Sequence, residues 1–330
     1  MIRYVIKRVL WTIPVLIGVV FIVFVIGEID PGDPVSALLG GNYTQEEYDA
    51  KYRELGLDKP FLTQFFNYLK GIVTEGNLGT SYTTKRPVAT EIVERFPISF
   101  KLAVISIIIA VAFGVPFGII SATRQYSLAD YSVTTGSLIF ASMPGFWLAL
   151  MLMIIFALNL KLLPASGTGS WKNWVLPALA SGLSFIATLT RMTRSSMLDV
   201  IRQDYIRTAR AKGISERTVV RRHALKNALI PIITTIGFQF GILISGSIIV
   251  ESIFSLPGLG TLMMSAINNR DYPVIRGSVL ILAALICLIN LLVDLAYGFV
   301  DPRIMAQYRK GSKNGKKLSA NLTEGGQSNG

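Results

Sequence analysis

Apolar residues fall into long runs separated by polar stretches, not into the short alternating pattern of half-buried strands. The runs lie at about 9–27, 98–122, 133–158, 175–195, 229–250 and 278–299. Each approaches or exceeds the roughly 20 residues needed to cross about 30 Å of hydrocarbon, which predicts six membrane-spanning helices. The fourth is the weakest, since its apolar part ends near Leu189 and Arg191 and Arg194 follow on the same helix. Arg3, Lys7 and Arg8 precede the first run, as they would in a signal peptide. That run is long, however, and leads into Glu28, Asp30 and Pro31 without a small-residue cleavage site, so a retained spanning helix is expected.

The polar stretch between the first two runs carries local structure signals. Pro31-Gly32-Asp33-Pro34 marks a turn. Thr44 followed by Glu47 forms a candidate capping box for a helix running to about Leu55, with Gly56 as its stop. Pro60 can open a second helix whose apolar face carries Phe61, Phe65, Tyr68, Leu69 and Ile72. A small helical layer over the membrane is expected here; a flexible loop is the competing reading.

Basic residues orient the spans. Arg3, Lys7 and Arg8 lie at the N-terminus, about ten Lys and Arg in 191–228, and about six after Phe299. The loops near 159–174 and 251–277 hold about two each. The positive-inside rule places both termini and 191–228 in the cytoplasm and 28–97 outside. The chain then divides into a first helix with its external segment, 1–97, and a five-helix core, 98–305, whose cytoplasmic loop is 199–228. A basic tail, 306–330, follows and is expected to be disordered.

Composition agrees with a membrane protein: 51% of the 330 residues are hydrophobic and 16% charged. The net charge of +12 gathers in alternate loops and the tail, and no groove-reading motif accompanies it, so nucleic acid is not an expected partner. The single cysteine, Cys287, excludes an intrachain disulfide, and the single histidine, His223, excludes a multi-histidine metal site. No G-x-x-x-x-G-K-[ST] or H-E-x-x-H sequence is present. No catalytic or metal-binding residue is assigned.

The loop around 204–231 is the most informative segment. Asp204 is a candidate cap for a short helix beginning at Tyr205, with Arg207, Thr208, Ala209, Arg210, Ala211 and Lys212 on it and Gly213 at its end. Ile214 follows, and Ser215 and Glu216 can open a second helix, giving a helix-turn-helix across the cytoplasmic face. Small side chains at Thr208, Ala209 and Ala211 let a partner approach closely, while Arg207, Arg210 and Lys212 can pair with acids on its rim. An ordinary basic connection is the alternative.

This loop resembles the one by which permease subunits of ATP-binding-cassette (ABC) importers grip their ATPases, patterned E-A-A-x-x-x-G and later I-x-L-P. Ala209, Gly213 and Leu225 fit; Arg207, His223 and Lys226 depart. Thr208 to Gly213 and Arg222 to Pro231 are similar instead to the variant of the oligopeptide, dipeptide and nickel branch, T-A-R-A-K-G and R-H-A-L-x-N-A-L-x-P. Further resemblances to that branch are Pro31 to Pro34, Leu55 to Pro60, Arg191 to Met197, Phe254 to Gly260, Asn269 to Ile275 and Asp301 to Ile304.

The resemblance implies an all-α fold with the type I importer permease core and an ATPase-coupling role for Arg207 to Ser215. It implies location in the bacterial inner membrane and heteromeric partners: a second similar permease, two ABC ATPases and an external substrate-binding protein. No cofactor would be bound by this chain; ATP and Mg would sit on the ATPases. The expected cargo is an oligopeptide or dipeptide. A nickel or metal-chelate importer is the alternative, a stand-alone channel or ion-coupled carrier a third reading, and intramembrane hydrolysis a remote one.

Polar residues on the spans are candidates for a substrate path: Gln239, Ser245, Glu251, Asn290 and Asp294. Helix-to-helix hydrogen bonding competes with that role. Gly237, Gly241 and Ser245 form a small-residue ridge on the fifth span, and Gly114 and Gly118 do so on the second. Pro257, Gly258 and Gly260 require the fifth helix to break before Ser255, leaving an outer re-entrant or loop segment.

Overall fold

The computed structural model describes residues 2–245 and 248–300, with side chains for 5–245 and 248–296. The tail expected to be disordered and the Asp301 to Ile304 stretch lie outside the described residues. Helices make up the fold, and no β-strand occurs among the described residues, only one bridge between Thr80 and Pro87.

Among the described residues, five helices are long and apolar enough to span a membrane. They are α1 (Ile2–Ile29), α5 (Val88–Thr123), α8 (Lys172–Ile201), the helix Glu216–Ile244, and α14 (Tyr272–Val300). The predicted third span is a bent pair: α6 (Leu128–Ser142) meets α7 (Gly145–Leu152), which continues as a π-helical segment Met153–Asn159, at 100°. Pro144 causes the bend. It holds the preceding Met143 extended, at φ −80° and ψ 128°, and cannot donate an amide to the helix before it.

The second span begins ten residues earlier than hydropathy suggests, at Val88 rather than residue 98. A 36-residue helix is about 54 Å long, well beyond the hydrocarbon thickness. Its first turns are held by packing of Val88 and Ile92 with Leu78, Leu259 and Val274. Close approach binds α5 to α8. A Cβ on Gly118 would lie 2.4 Å from the Thr193 Cβ, and one on Gly114 would lie 3.0 Å from the Leu189 Cβ. The second-span glycine ridge is therefore an internal seam.

The segment between α1 and α5 is largely helical. Thr44 caps α3 (Gln45–Glu54) in a full capping box with Glu47, and Gly56 follows in the left-handed region at φ +69°. α4 (Phe61–Glu75) lays Phe61, Phe65, Tyr68 and Leu69 against Val20 and Phe24 of α1. Phe24 also carries the Arg276 guanidinium of α14, 3.6 Å from the ring centroid. α2 (Pro34–Leu39) is capped by Asp33, which accepts from the amides of Val35 and Ser36. The 79–87 loop is fastened to the start of α14. Asp271, buried, accepts from Ser81 Oγ at 2.5 Å and from the amides of Tyr82 and Thr83 at 3.0 and 3.1 Å.

Candidate functional site

The basic loop forms α9 (Asp204–Ala211). Gln203, not Asp204, occupies its cap position, and its carbonyl receives the Ile206 amide at 3.0 Å. Asp204 is instead the first helical residue, where a carboxylate favours the positive end of the helix dipole. The helix ends in a Schellman motif: the Ile214 amide reaches the Ala209 carbonyl and the Gly213 amide the Arg210 carbonyl at 2.9 Å. Gly213 takes φ +75°, which L side chains rarely adopt.

One face of α9 is buried and the other is free. Ile206 and Ala209 join a core cluster with Met197 of α8 and Val219, Ala224 and Ala228 beyond the loop, and Ile214 packs against the same cluster. Arg207, Thr208, Arg210, Ala211, Lys212, Gly213 and Ser215 are exposed. Arg210 does not project freely. Its Nε donates to Glu216 Oε2 at 3.0 Å and its Nη2 to Oε1 at 2.7 Å, closing the turn. This hydrogen bond raises the Arg210 pKa above the ordinary guanidinium value. Ser215 stands at the expected cap position of α10 (Glu216–Thr218), but its hydroxyl meets Thr218 Oγ1 at 2.9 Å rather than an amide.

The second helix of the loop is not a separate surface helix. α10 runs through a π-helical segment, Val219–Leu225, into α11 (Lys226–Ile244), so Ser215 opens the fifth span itself. α9 is therefore bracketed by two rigid spans, α8 before it and α10–α11 after it.

Close to the same end of α8 lies a half-buried ionic clasp that local sequence signals did not reveal. Arg194 of α8 donates through Nε and Nη2 to the two oxygens of Asp130 on α6, both at 3.0 Å. Its Nε also reaches Ser121 Oγ of α5 at 2.9 Å, Ser121 Oγ donates to Asp130, and the Tyr126 amide donates to Asp130 Oδ2 at 3.0 Å. Ser127 caps α6 by accepting the Asp130 amide, so a capping signal at Ser127 could have placed the carboxylate but not its partner on α8.

The polar candidates on the spans lie in different settings. Gln239 is buried in α11, and Ser245 Oγ donates to the Gly241 carbonyl at 2.8 Å. Gly237 faces Val293 of α14, which would lie 2.0 Å from an added Cβ. Asn290 is exposed on α14, and Asp294 lies 2.8 Å from Arg8 Nη2 of α1 as an ion pair. Glu251, on α12 (Ile248–Ile253), is fully buried. It accepts from Ser99 Oγ at 2.6 Å and from the Thr261 amide at 3.1 Å. Ser99 Oγ in turn accepts the Leu259 amide at 2.8 Å. Gly258 and Gly260 let this loop sit so close, since an added Cβ would stand 2.5 and 2.8 Å from Glu251 Oε2. The loop before α13 (Leu259–Asn268) is thereby fixed to α5 and α12. Among the described residues, no group of three or more His, Cys, Asp or Glu is placed to hold a metal ion.

Comparison with known proteins places this geometry among transport subunits. Residues 114–306 match the family described as binding-protein-dependent transport system inner membrane component, and residues 1–103 match its N-terminal region. The glutathione transport system permease protein GsiC of Pectobacterium atrosepticum is 43% identical over 304 residues, 92% of this chain and 99% of the relative. Its counterpart in Escherichia coli strain K12 is 41% identical over the same shares. Among solved structures, the inward-facing MetNI methionine ABC transporter aligns with TM-score 0.56 at 18% identity, covering 64% of this chain and 97% of that one. An amino acid ABC transporter with histidines aligns with TM-score 0.50 at 14% identity, covering 63% and 92%.

Proposed function

Since the chain belongs to the family of binding-protein-dependent transport system inner membrane components, and is an ABC importer permease subunit of multi-pass inner-membrane type, we propose that it imports small peptides of the glutathione class. The identity to glutathione permeases along 92% of the chain supports that substrate class. The family works with an ATPase and a substrate-binding protein; we add a second, similar permease and two ATPase copies. Both termini and α9 face the cytoplasm in this reading, as the basic residues of 191–228 favour.

The half-buried α9 carries the mechanism. Its apolar face is anchored between α8 and α10–α11, while Arg207, Thr208, Ala211 and Lys212 remain open to a partner. When the ATPases close around ATP and Mg, α9 moves with them as one body and passes the displacement into the two spans. The spans then alternate between outward- and inward-open arrangements. This chain binds no cofactor and performs no covalent chemistry. We assign Gln239 to the path, a reading supported by its being a polar side chain buried within the fifth span. Glu251 holds the outer loop beside that path, and Asp294 fastens α1 to α14 through Arg8.

The test is uptake by the purified complex in proteoliposomes with its binding protein. Labelled glutathione and dipeptides should accumulate only with ATP on the α9 side. Uptake of a nickel chelate in their place would transfer the assignment to metal import, and uptake by this chain alone would reject the division of labour.

A further inference from the structure

Two cavities adjoin along α6 and α8 and differ sharply in chemistry. One, of about 340 Å3, is polar and basic, with Arg191, Arg194 and Arg202 on one wall and Thr134 on the other. The second, of about 420 Å3, is apolar, with Phe113 and Phe117 of α5, Phe140 of α6 and Leu183 of α8 among its walls. Ser137 lines both, so a polar mouth continues into a greasy crevice.

Charge in the mouth is unbalanced. Arg194 is satisfied by Asp130, but Arg191 and Arg202 have no ion-pair partner among the described residues. Asp199 is the one further carboxylate in the lining. Thr190 Oγ1, on the same wall and 1% exposed as a residue, has no hydrogen-bond partner among the described residues. Two free guanidiniums and an unsatisfied buried hydroxyl suit an anion with several acceptor oxygens. The crevice is also open: a Cβ on Gly136 would meet nothing within 4 Å.

We propose that this composite cavity binds an anionic phospholipid, its phosphate in the arginine mouth and an acyl chain between α5, α6 and α8. A soluble anion would leave the apolar part unfilled, whereas a lipid matches both halves, and basic pockets between spanning helices favour such headgroups. The inference rests on the proposed orientation, which puts this end of α8 in the inner leaflet. The ligand would fill the space beside the Arg194–Asp130 clasp and so stiffen the spans on which α9 is mounted.

The test uses the assembled transporter in nanodiscs of phosphatidylcholine with added phosphatidylglycerol, reading retained lipid by native mass spectrometry. The wild type should retain phosphatidylglycerol selectively, and excess inorganic phosphate should not displace it. Arg191→Gln and Arg202→Gln should each lower retention about five-fold, the equivalent of about 1 kcal/mol per charge. Gly136→Leu, which fills the crevice, should lower it as well while the ATPases still copurify. Unchanged retention in the arginine variants overturns the proposal, as does displacement by inorganic phosphate. Loss of the second permease from Gly136→Leu would identify the crevice as a subunit seam and overturn it too. Copurification of the ATPases, scored separately, tests the coupling role of α9.

Discussion

Arg210 and Glu216 meet side by side, Nη2 to Oε1 at 2.7 Å and Nε to Oε2 at 3.0 Å, across the turn that joins α9 to the fifth span. Both side chains are substantially open to solvent, so the pair adds about 0.2–1 kcal/mol to stability. Its larger effect is directional, since a two-pronged guanidinium contact fixes the angle between two helices. Glu216→Gln should leave the melting temperature within about 2 °C of wild type, scaling from small surface-pair energies. ATP-driven uptake should fall several-fold. The exchanged pair, Arg210→Glu with Glu216→Arg, should recover part of that loss, as uptake assays on both variants would show.

Gly213 offers a separate test of the same turn. Its Cβ position is empty, so substitutions there act through the φ of +75° and through whatever docks on the surface. Asn, which tolerates the left-handed region, should be milder than Val. Gly213→Glu should lower ATPase copurification and uptake while membrane insertion stays intact. Normal copurification and uptake in that variant would remove α9 from the coupling role.

At the loop before α13, Ser99→Ala would deprive both Glu251 and the Leu259 amide of a partner at once. A buried group left unsatisfied costs about 1–3 kcal/mol, so a clear fall in thermal stability is expected. Gly258→Ala should have a similar effect through direct collision with Ser99 Oγ and Glu251. Thermal unfolding of the detergent-solubilised complex would measure both.

The junction of α1 with α14 should respond to acid in a defined direction. Asp30 accepts from Tyr272 Oη at 2.8 Å and from the Gly32 amide at 3.2 Å, and these contacts lower its pKa below the usual value of 3.8. A depressed carboxylate contributes fully above its unfolded pKa and loses its contribution as pH falls through the folded value. Hydrogen exchange at Gly32 should therefore be governed by the same protection from neutral pH down to about 5, and protection should fail only below about 4. Asp30→Asn should abolish that acid transition.

Features encoded within a few residues were legible in the sequence. The Thr44 and Glu47 box, the stop at Gly56, the aromatic face of α4 and the turn at Gly213 each depend on neighbours one or two turns away. The 100° bend at Pro144 was hidden because hydropathy stays high on both sides of the break. The early start of α5 was hidden for the opposite reason, since Glu91, Glu94 and Arg95 lower the hydropathy of turns that are nonetheless helical. The Asp130–Arg194 clasp and the Ser99–Glu251 lock join residues 64 and 152 positions apart, and no local pattern carries such pairings. Likewise, the composition of α11 shows polar Gln239 but not that it is buried.

The fastening of Ser81, Tyr82 and Thr83 to Asp271 bears on how the chain is made. Their carboxylate is synthesised about 190 residues later, immediately ahead of the last span. The 79–87 loop therefore waits, incompletely tethered, until the residues just before α14 have been made. Trypsin added to nascent chains should cut after Lys85 until α14 emerges, and truncation before Asp271 should leave that site permanently open to the protease.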